Sequence, residues 1–330
     1  MMKNYQKERF LHLPTPLEYL PTLSKDLGIS LYIKRDDLTN LGGGGNKLRK
    51  LEYFLYDAKA KGATALVTVG GAQTNHGRLT AAVAAKYGMK CTIVAIDEYP
   101  GEISANILLD RIMGADLVLH KDDGTPLMDL VDRVMREYEN AGEIPYFIPM
   151  GGSNQLGALG YYDCAKELLE QTKDGRVFVA VGSMGTYMGL YCGLCNSSVR
   201  LTGILIGPFY EDVKSYALDY FNQCKNSWEL DISAGPADFD IRTEFIRGGY
   251  NNPVKEVREA VYEMARKEAI LLDPCYTGKV YAAIRDMVAT GDIKQGEKII
   301  FLHTGGLPGI NTPSHRKEME KELIAGIAIE

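Results

Sequence analysis

The residues with the most obvious chemical potential lie in one segment, KRDDLTNLGGGGNKLRKLEYFLYDAKAKG. Gly42 to Gly45 precede Asn46 and Lys47, and a helical pattern then runs to about Lys61. Asn46 suits a helix N-cap, which puts Lys47 in the first turn. There the positive end of the helix dipole disfavours an ammonium and lowers the lysine pKa. A lysine shifted in that way is suited to Schiff-base chemistry with an aldehyde. A solvated lysine among several on the same helix is the competing reading, since a glycine loop before a lysine is not specific. The loop is no P-loop, because G-x-x-x-x-G-K-[ST] is absent.

Two further loops follow the same plan of strand, glycine turn and helix. After TALVTV comes GGAQTNH and then GRLTAAVAAKYG, so Thr74, Asn75 and His76 stand at a helix N-terminus with Gln73. Free amides with short polar side chains make a carboxylate site there. After VFVAV comes GSMGTYMGL. Its residues Gly182, Ser183, Met184, Gly185 and Thr186 could cradle a phosphate with backbone amides and two hydroxyls. Either loop alone could be a plain tight turn. A nucleophilic lysine, a carboxylate nest and a phosphate nest together describe pyridoxal 5'-phosphate holding an amino acid.

The elements that must position these loops are short apolar runs alternating with amphipathic stretches. Strands are expected at 31–34, 64–69, 91–96, 115–120, 177–181, 201–206 and 298–303, rich in Val, Ile and Leu as buried parallel strands tend to be. Helical faces are marked by Leu127, Leu130, Val131, Val134 and Tyr138, by Val254, Val257, Val261, Met264 and Ala265, and by Val280, Ile284, Met287 and Val288 before Gly291. This alternation predicts an α/β fold with parallel sheets. The Pro/Gly-containing stretch around 145–160 is the expected crossing between domains.

The chain has 330 residues, room for about two domains. Its 37 Lys and Arg against 43 Asp and Glu give a net charge of −6, without the basic clustering that phosphate-backbone binding needs, so no nucleic-acid partner is expected. No run approaches the ~20 apolar residues of a membrane span, and MMKNYQKERF has no apolar signal core, which points to a cytoplasmic protein. Six cysteines in so long a chain do not make a disulfide scaffold. Cys192 and Cys195 have C-x-x-C spacing but lie in the apolar run MGLYCGLC, which reads as buried helix; no metal site is expected. Glycine is in excess, 35 residues against a typical share of about 7%, and it is clustered in the loops described above.

Taken in order, PTPLEYL, IKRDDLT, GGNKLRKLE, GGAQTNH, IPMGGSNQLGALGY, GSMGT, LLDPCYTGK and FLHTGG resemble the D-cysteine desulfhydrase and 1-aminocyclopropane-1-carboxylate (ACC) deaminase family of fold-type II, tryptophan synthase β-like, pyridoxal-phosphate-dependent enzymes. The resemblance runs from about Pro14 to Pro308. It implies two open-sheet α/β domains with the cofactor between them, a smaller one of residues 48–158 and a larger one of 1–47 plus 159–330. It also implies that Lys47 bonds the cofactor aldehyde, that Asn75 contacts the cofactor's phenolic oxygen, and that the 182–186 loop holds the phosphate. Thr74, Asn75 and His76 would bind the substrate carboxylate, while Tyr250 of the G-Y motif and Tyr276 of D-P-x-Y line the pocket. A homodimer is implied as well.

The two branches of the family differ near the ring nitrogen. ACC deaminases are expected to carry glutamate after the second tyrosine and leucine at the H-T-G-G-like strand end, where this chain has Thr277 and Thr304. A carboxylate would keep the ring nitrogen protonated and strengthen the electron sink that ring opening needs. A hydroxyl suffices where a β-leaving group departs on its own, so the resemblance favours D-cysteine plus water giving pyruvate, hydrogen sulfide and ammonia. Elimination from D-serine, a chloroalanine or cysteate, ACC deamination, and a non-catalytic amino-acid sensor are the alternatives. Two departures stand out: Thr74 where serine is usual, its methyl expected to narrow the substrate end, and Met184 where glycine is usual.

Overall fold

The computed structural model describes residues 5–327. Ten strands follow in chain order: β1 (Leu17–Tyr19), β2 (Ser30–Arg35), β3 (Ala65–Gly71), β4 (Lys90–Ile96), β5 (Asp116–His120), β6 (Pro145–Ile148), β7 (Gly175–Val181), β8 (Val199–Leu205), β9 (Ile241–Arg242) and β10 (Lys298–His303). The helices are α1 (Pro21–Leu27), α2 (Lys47–Ala60), α3 (Asn75–Lys86), α4 (Ala105–Ile112), α5 (Leu127–Asn140), α6 (Gln155–Gln171), α7 (Gly185–Leu194), α8 (Val213–Trp228), α9 (Lys255–Glu268), α10 (Thr277–Ala289) and α11 (Pro313–Leu323).

The strands form two open sheets. One has the order β1-β2-β10-β7-β8-β9 and the other β5-β4-β3-β6. All pairings are parallel except β1 with β2. All seven expected strands are present, within two residues at each end. The three helical faces are α5, α9 and α10. The smaller sheet draws only on residues 65–148, and α6 then returns the chain to the larger one. Among the described residues, no helix is long and apolar enough to cross a membrane.

Burial on both faces explains the near-continuous apolar strands. In β10, Ile299 and Phe301 pack in one core with α1, α9 and α10, whereas Ile300 and Leu302 pack in another with α6, α7 and α8. The smaller sheet is sandwiched likewise, Leu66 and Ile93 toward α2 and α3, Val67 and Val94 toward α5. Cys192 is buried in α7, while Cys195 caps it and is exposed.

The helix that begins at Lys47 is pinned by a buried ionic network. Arg49, 2% exposed, donates to Asp36 at 2.8 and 2.9 Å and to Glu167 of α6 at 2.9 Å. Lys34 of β2 pairs with the same glutamate and donates to Thr15 O at 2.7 Å, and Tyr161 donates to Asp36. Burial alone would raise the Asp36 pKa; Arg49 outweighs it and holds the carboxyl below its usual range. Glu167 is lowered for the same reason. Breaking such a network from one side leaves an uncompensated buried charge. Arg49→Met should therefore cost about 3–5 kcal/mol at neutral pH. Because the carboxyl pKa values are depressed in the fold, the loss should shrink as pH falls below about 4, where the acids protonate. Urea unfolding at pH 7 and about pH 3 measures both, and a loss under ~1 kcal/mol at pH 7 would show that the network is dispensable.

Candidate active site

Loops from both sheets enclose a cavity of about 440 Å³. They leave the carboxyl ends of β3, β7, β8 and β10, where open α/β sheets bind ligands. The glycine loop before α2 is tied to the end of β10: Asn46 N donates to Thr304 O at 3.0 Å, and Gly45 bridges Gly305.

Lys47 lines the cavity as the first residue of α2. Its pKa is lowered to about 8 by burial, partly offset by a hydrogen bond with Lys50. Desolvation is thus a cause that acts beside the helix dipole expected from sequence. Asn46 does stand at the N-cap, but its side chain does not cap the helix; it donates to Thr186 Oγ1 at 2.9 Å and joins the lysine turn to the glycine loop after β7.

Thr74 is the N-cap of α3, and its hydroxyl accepts from His76 N and Gly77 N at 3.2 and 3.4 Å. Its methyl stands beside Gly70, which lines the cavity, and Gly77, where added Cβ atoms would lie 3.2 and 2.7 Å from it. The narrowing of the substrate end expected from this methyl is read by the Thr74→Ser comparison below. Asn75 Oδ1 accepts from Asn106 at 3.1 Å and Arg78 at 3.4 Å, which turns its donor end away from both. Arg78 also donates to Gly42 O and to Gly44 O, clamping the loop that precedes Lys47. His76 lines the cavity buried, and neither ring nitrogen has a hydrogen-bond partner. Burial, then Lys47 and Lys50, push its pKa well down, so the ring is neutral.

Gly182 to Thr186 curl from β7 into α7, whose first-turn amides lack intrahelical acceptors. Three donors converge on Gly185. A Cβ there would stand 2.7 Å from Ser153 Oγ, 2.9 Å from Lys50 Nζ and 3.1 Å from Tyr220 Oη. Tyr220 Oη is buried without a partner. Ser183 Oγ shares a hydrogen bond with Ser153 Oγ at 2.7 Å, and Tyr210 donates to Gly182 O. Lys50, Ser153 and Tyr220 escaped the sequence reading. For Lys50 a signal existed, since two lysines three apart share one face of a helix otherwise flanked by leucines. Met184 has φ 65°, left-handed, which explains why glycine suits this position; its side chain packs into the core.

Tyr250 and Tyr276 both line the cavity, with their hydroxyls 2.7 Å apart. Asp273 fixes Tyr276 by accepting from the amides of Cys275, Tyr276 and Thr277 at 2.7–2.9 Å. Lys279 holds the Tyr250 loop through Ile246 O and Gly249 O. Thr304 reaches the cavity. Thr277 does not: its buried hydroxyl donates to Asp273 Oδ1 at 2.7 Å and serves the start of α10, so the structure does not place it beside Thr304 as a cavity group.

The family described as "Pyridoxal-phosphate dependent enzyme" matches residues 9–305. The chain belongs to the pyridoxal-phosphate dependent enzyme family. A Klebsiella pneumoniae D-cysteine desulfhydrase is 39% identical over 323 residues, covering 94% of this chain and 96% of that protein. A Pyrococcus horikoshii protein provisionally named a 1-aminocyclopropane-1-carboxylate deaminase is 36% identical over 314 residues, 94% of each chain. The crystal structure of an ACC deaminase homologue superposes with TM-score 0.87 and 34% identity, covering 98% of this chain and 97% of that one.

The cavity of this pyridoxal-phosphate dependent enzyme fits the cofactor. The donors around Gly185 match a phosphate; Lys50, whose pKa burial and Lys47 push well down, would regain its proton beside a dianion, and Lys47 presents an amine with a depressed pKa. In cofactor-free enzyme, amine modification at Lys47 should rise with an apparent pKa near 8. Exposed lysines should follow about 10.4. Mass-spectrometric labelling across pH 6–11 reads the difference, and a Lys47 profile like the surface lysines would remove burial as the activating cause.

Proposed function

We propose that this enzyme is a D-cysteine desulfhydrase, a β-elimination lyase that converts D-cysteine and water to pyruvate, hydrogen sulfide and ammonia. The observation that carries the reading is that, among the described residues, no carboxylate stands with Thr304 in the cavity lining; Asp273, behind Gly306, is committed to three amides and Thr277, and Glu98 lies behind Gly71 toward the tyrosine pair. Thr304 is then the ring-nitrogen partner, and a hydroxyl there suits departure of a β-leaving group rather than opening of a cyclopropane. The name of the Klebsiella relative supports the same branch. The provisional name of the Pyrococcus relative keeps ACC deamination as the second reading.

In this proposal Lys47 attaches the cofactor, while the 182–186 amides, Lys50 and Ser153 hold its phosphate and Asn75 donates to its phenolic oxygen. When bound, pyridoxal phosphate supplies the sink for the electron pair left at the substrate's α-carbon. The α3 N-terminus with Thr74, Asn75 and neutral His76 receives the substrate carboxylate. Lys47 Nζ takes the α-proton; with its pKa near 8, a useful fraction is unprotonated at neutral pH. The Tyr250 and Tyr276 hydroxyls, kept neutral because burial drives both pKa values well up, face the β-substituent and donate to departing sulfur. The proposed division at about 48 and 158 is supported by the confinement of the smaller sheet to 65–148.

A panel of D- and L-cysteine, D-serine, β-chloro-D-alanine, cysteate and ACC, assayed for keto acid, sulfide and ammonia, tests the reading. D-cysteine should lead, and faster turnover of ACC would reverse the branch assignment. Lys47→Ala should abolish turnover and the borohydride-sensitive absorbance of the holoenzyme while leaving circular dichroism unchanged. Thr74→Ser keeps the N-cap hydroxyl and removes a methyl that faces Gly70 and Gly77. The ratios of kcat/KM among D-cysteine, D-serine and β-chloro-D-alanine should therefore stay within about twofold, against the roughly 10–200-fold that a methyl in the pocket can exert.

A further inference from the structure

One wall of the cavity is richer than a thiol requires. Tyr276, Tyr250, Phe209, Tyr210 and Tyr216 form a continuous file of rings with successive centroids 5.9, 5.5, 6.4 and 4.5 Å apart. Its inner end is the tyrosine pair at the β-substituent. Its outer end reaches solvent, with Phe209 and Tyr216 each 45% exposed, and Met150 across the same cavity is 51% exposed. Exposed large apolar groups concentrated at the mouth of a pocket mark a binding surface. The rim is also built. Gly207 lies beneath the Phe209 ring, where a Cβ would come within 2.7 Å of it, and Tyr210 is anchored by its bond to Gly182 O. Free cysteine ends at its sulfur, beside Tyr250 and Tyr276, and leaves Phe209, Tyr216 and Met150 without a partner.

We infer that this aromatic wall is a subsite for an apolar group carried on the substrate's sulfur, so that the enzyme cleaves S-alkyl- and S-aryl-substituted cysteines. The inference rests on the β-elimination reading and names a wider substrate class for it. The reaction is R–S–CH2–CH(NH3+)–COO− plus H2O giving R–SH, pyruvate and NH4+. The Cβ–S bond breaks with its electron pair going to sulfur, which takes up a proton, and water hydrolyses the remaining three-carbon fragment. No external oxidant or reductant is needed. A ring on sulfur extends the file outward between Phe209 and Met150, gaining offset or edge contacts that a methyl cannot make.

The test uses the holoenzyme, with pyruvate as the common readout for D-cysteine, S-methyl-D-cysteine and S-benzyl-D-cysteine, and thiol measured separately. The expected result is a kcat/KM for the S-benzyl substrate at least about tenfold above that for S-methyl, mostly through KM, with phenylmethanethiol and pyruvate in equal amounts. In Phe209→Ala the ratio of S-benzyl to D-cysteine kcat/KM should fall at least about tenfold. Should that variant fail to fold, Tyr216→Ala, at an exposed position, makes the same comparison. D-cysteine turnover without S-benzyl turnover overturns the subsite alone, as does a ratio that neither variant changes. Absence of turnover for D-cysteine and both S-substituted substrates overturns the β-elimination reading and the subsite with it.

Discussion

Arg49 is a charged side chain with almost no access to water, a state tolerated only when its donors are met by acceptors of opposite charge. Asp36 just beyond β2 and Glu167 on α6 meet them, and that requirement fixes the rotation of α2 about its axis. Residues two apart on a helix point to nearly opposite sides, and residues three apart share a face. With Arg49 turned inward to the network, Lys47 faces the cavity and Lys50, on the same side, reaches Gly151 O and Ser153 Oγ beside the glycine turn after β7. The position of the reactive amine is thus set by an ion pair that never touches a ligand. The network also spans the two parts of the chain, since Lys34 and Asp36 belong to the larger sheet's side and Arg49 to the helix that covers the smaller sheet.

The cavity's charge follows from the same placement. Two lysines and a histidine stand close together, and each pKa is lowered by burial, with the lysines adding to the effect on His76 and Lys47 to that on Lys50. Such a site is costly when empty and becomes favourable when a dianion enters. Because a ligand that binds only the folded state stabilises by mass action, the cofactor and the fold are thermodynamically linked here. A neutral His76 beside Thr74 fits such a site: it can donate to a carboxylate without adding a buried positive charge of its own.

Much of this was legible in the residues, and what escaped has physical reasons. Buried parallel strands announce themselves as Val- and Ile-rich runs, so seven were readable. Three-residue β1 and two-residue β9 are too short to show a period, and β6 opens with Pro145 in a stretch that reads as a crossing. Site groups lying within one contiguous loop, such as Thr74-Asn75-His76, were readable because a strand–turn–helix sequence fixes their position. Arg78, Asn106, Ser153, Tyr220 and Lys279 act across the fold, on groups brought near by tertiary packing, and no local pattern reveals that. Thr277 shows the converse hazard: its place in a motif suggested the cavity, while its hydroxyl was claimed by the nearest strong acceptor, the buried Asp273 carboxylate.

The arrangement of loops at the carboxyl ends of parallel strands separates the tasks of the site. The end of β3 supplies the amides and hydroxyl of the α3 N-terminus, β7 the glycine turn on which Lys50 of α2, Ser153 and Tyr220 of α8 converge, and β10 Thr304 with the bridge to Gly45. These three are cross-linked through Asn46, Arg78 and Ser153, so a change in one disturbs the others. The loop after β8 is attached differently. Beyond Ile206, which is held by Val181 O and Lys279, Phe209 and Tyr210 join it to the rest through ring contacts and a hydrogen bond to Gly182 O. Side chains there can change size or polarity while the lysine, carboxylate and phosphate ends keep their geometry. Selectivity for the departing group can therefore vary on the β8 loop independently of the chemistry, which is held by the other three.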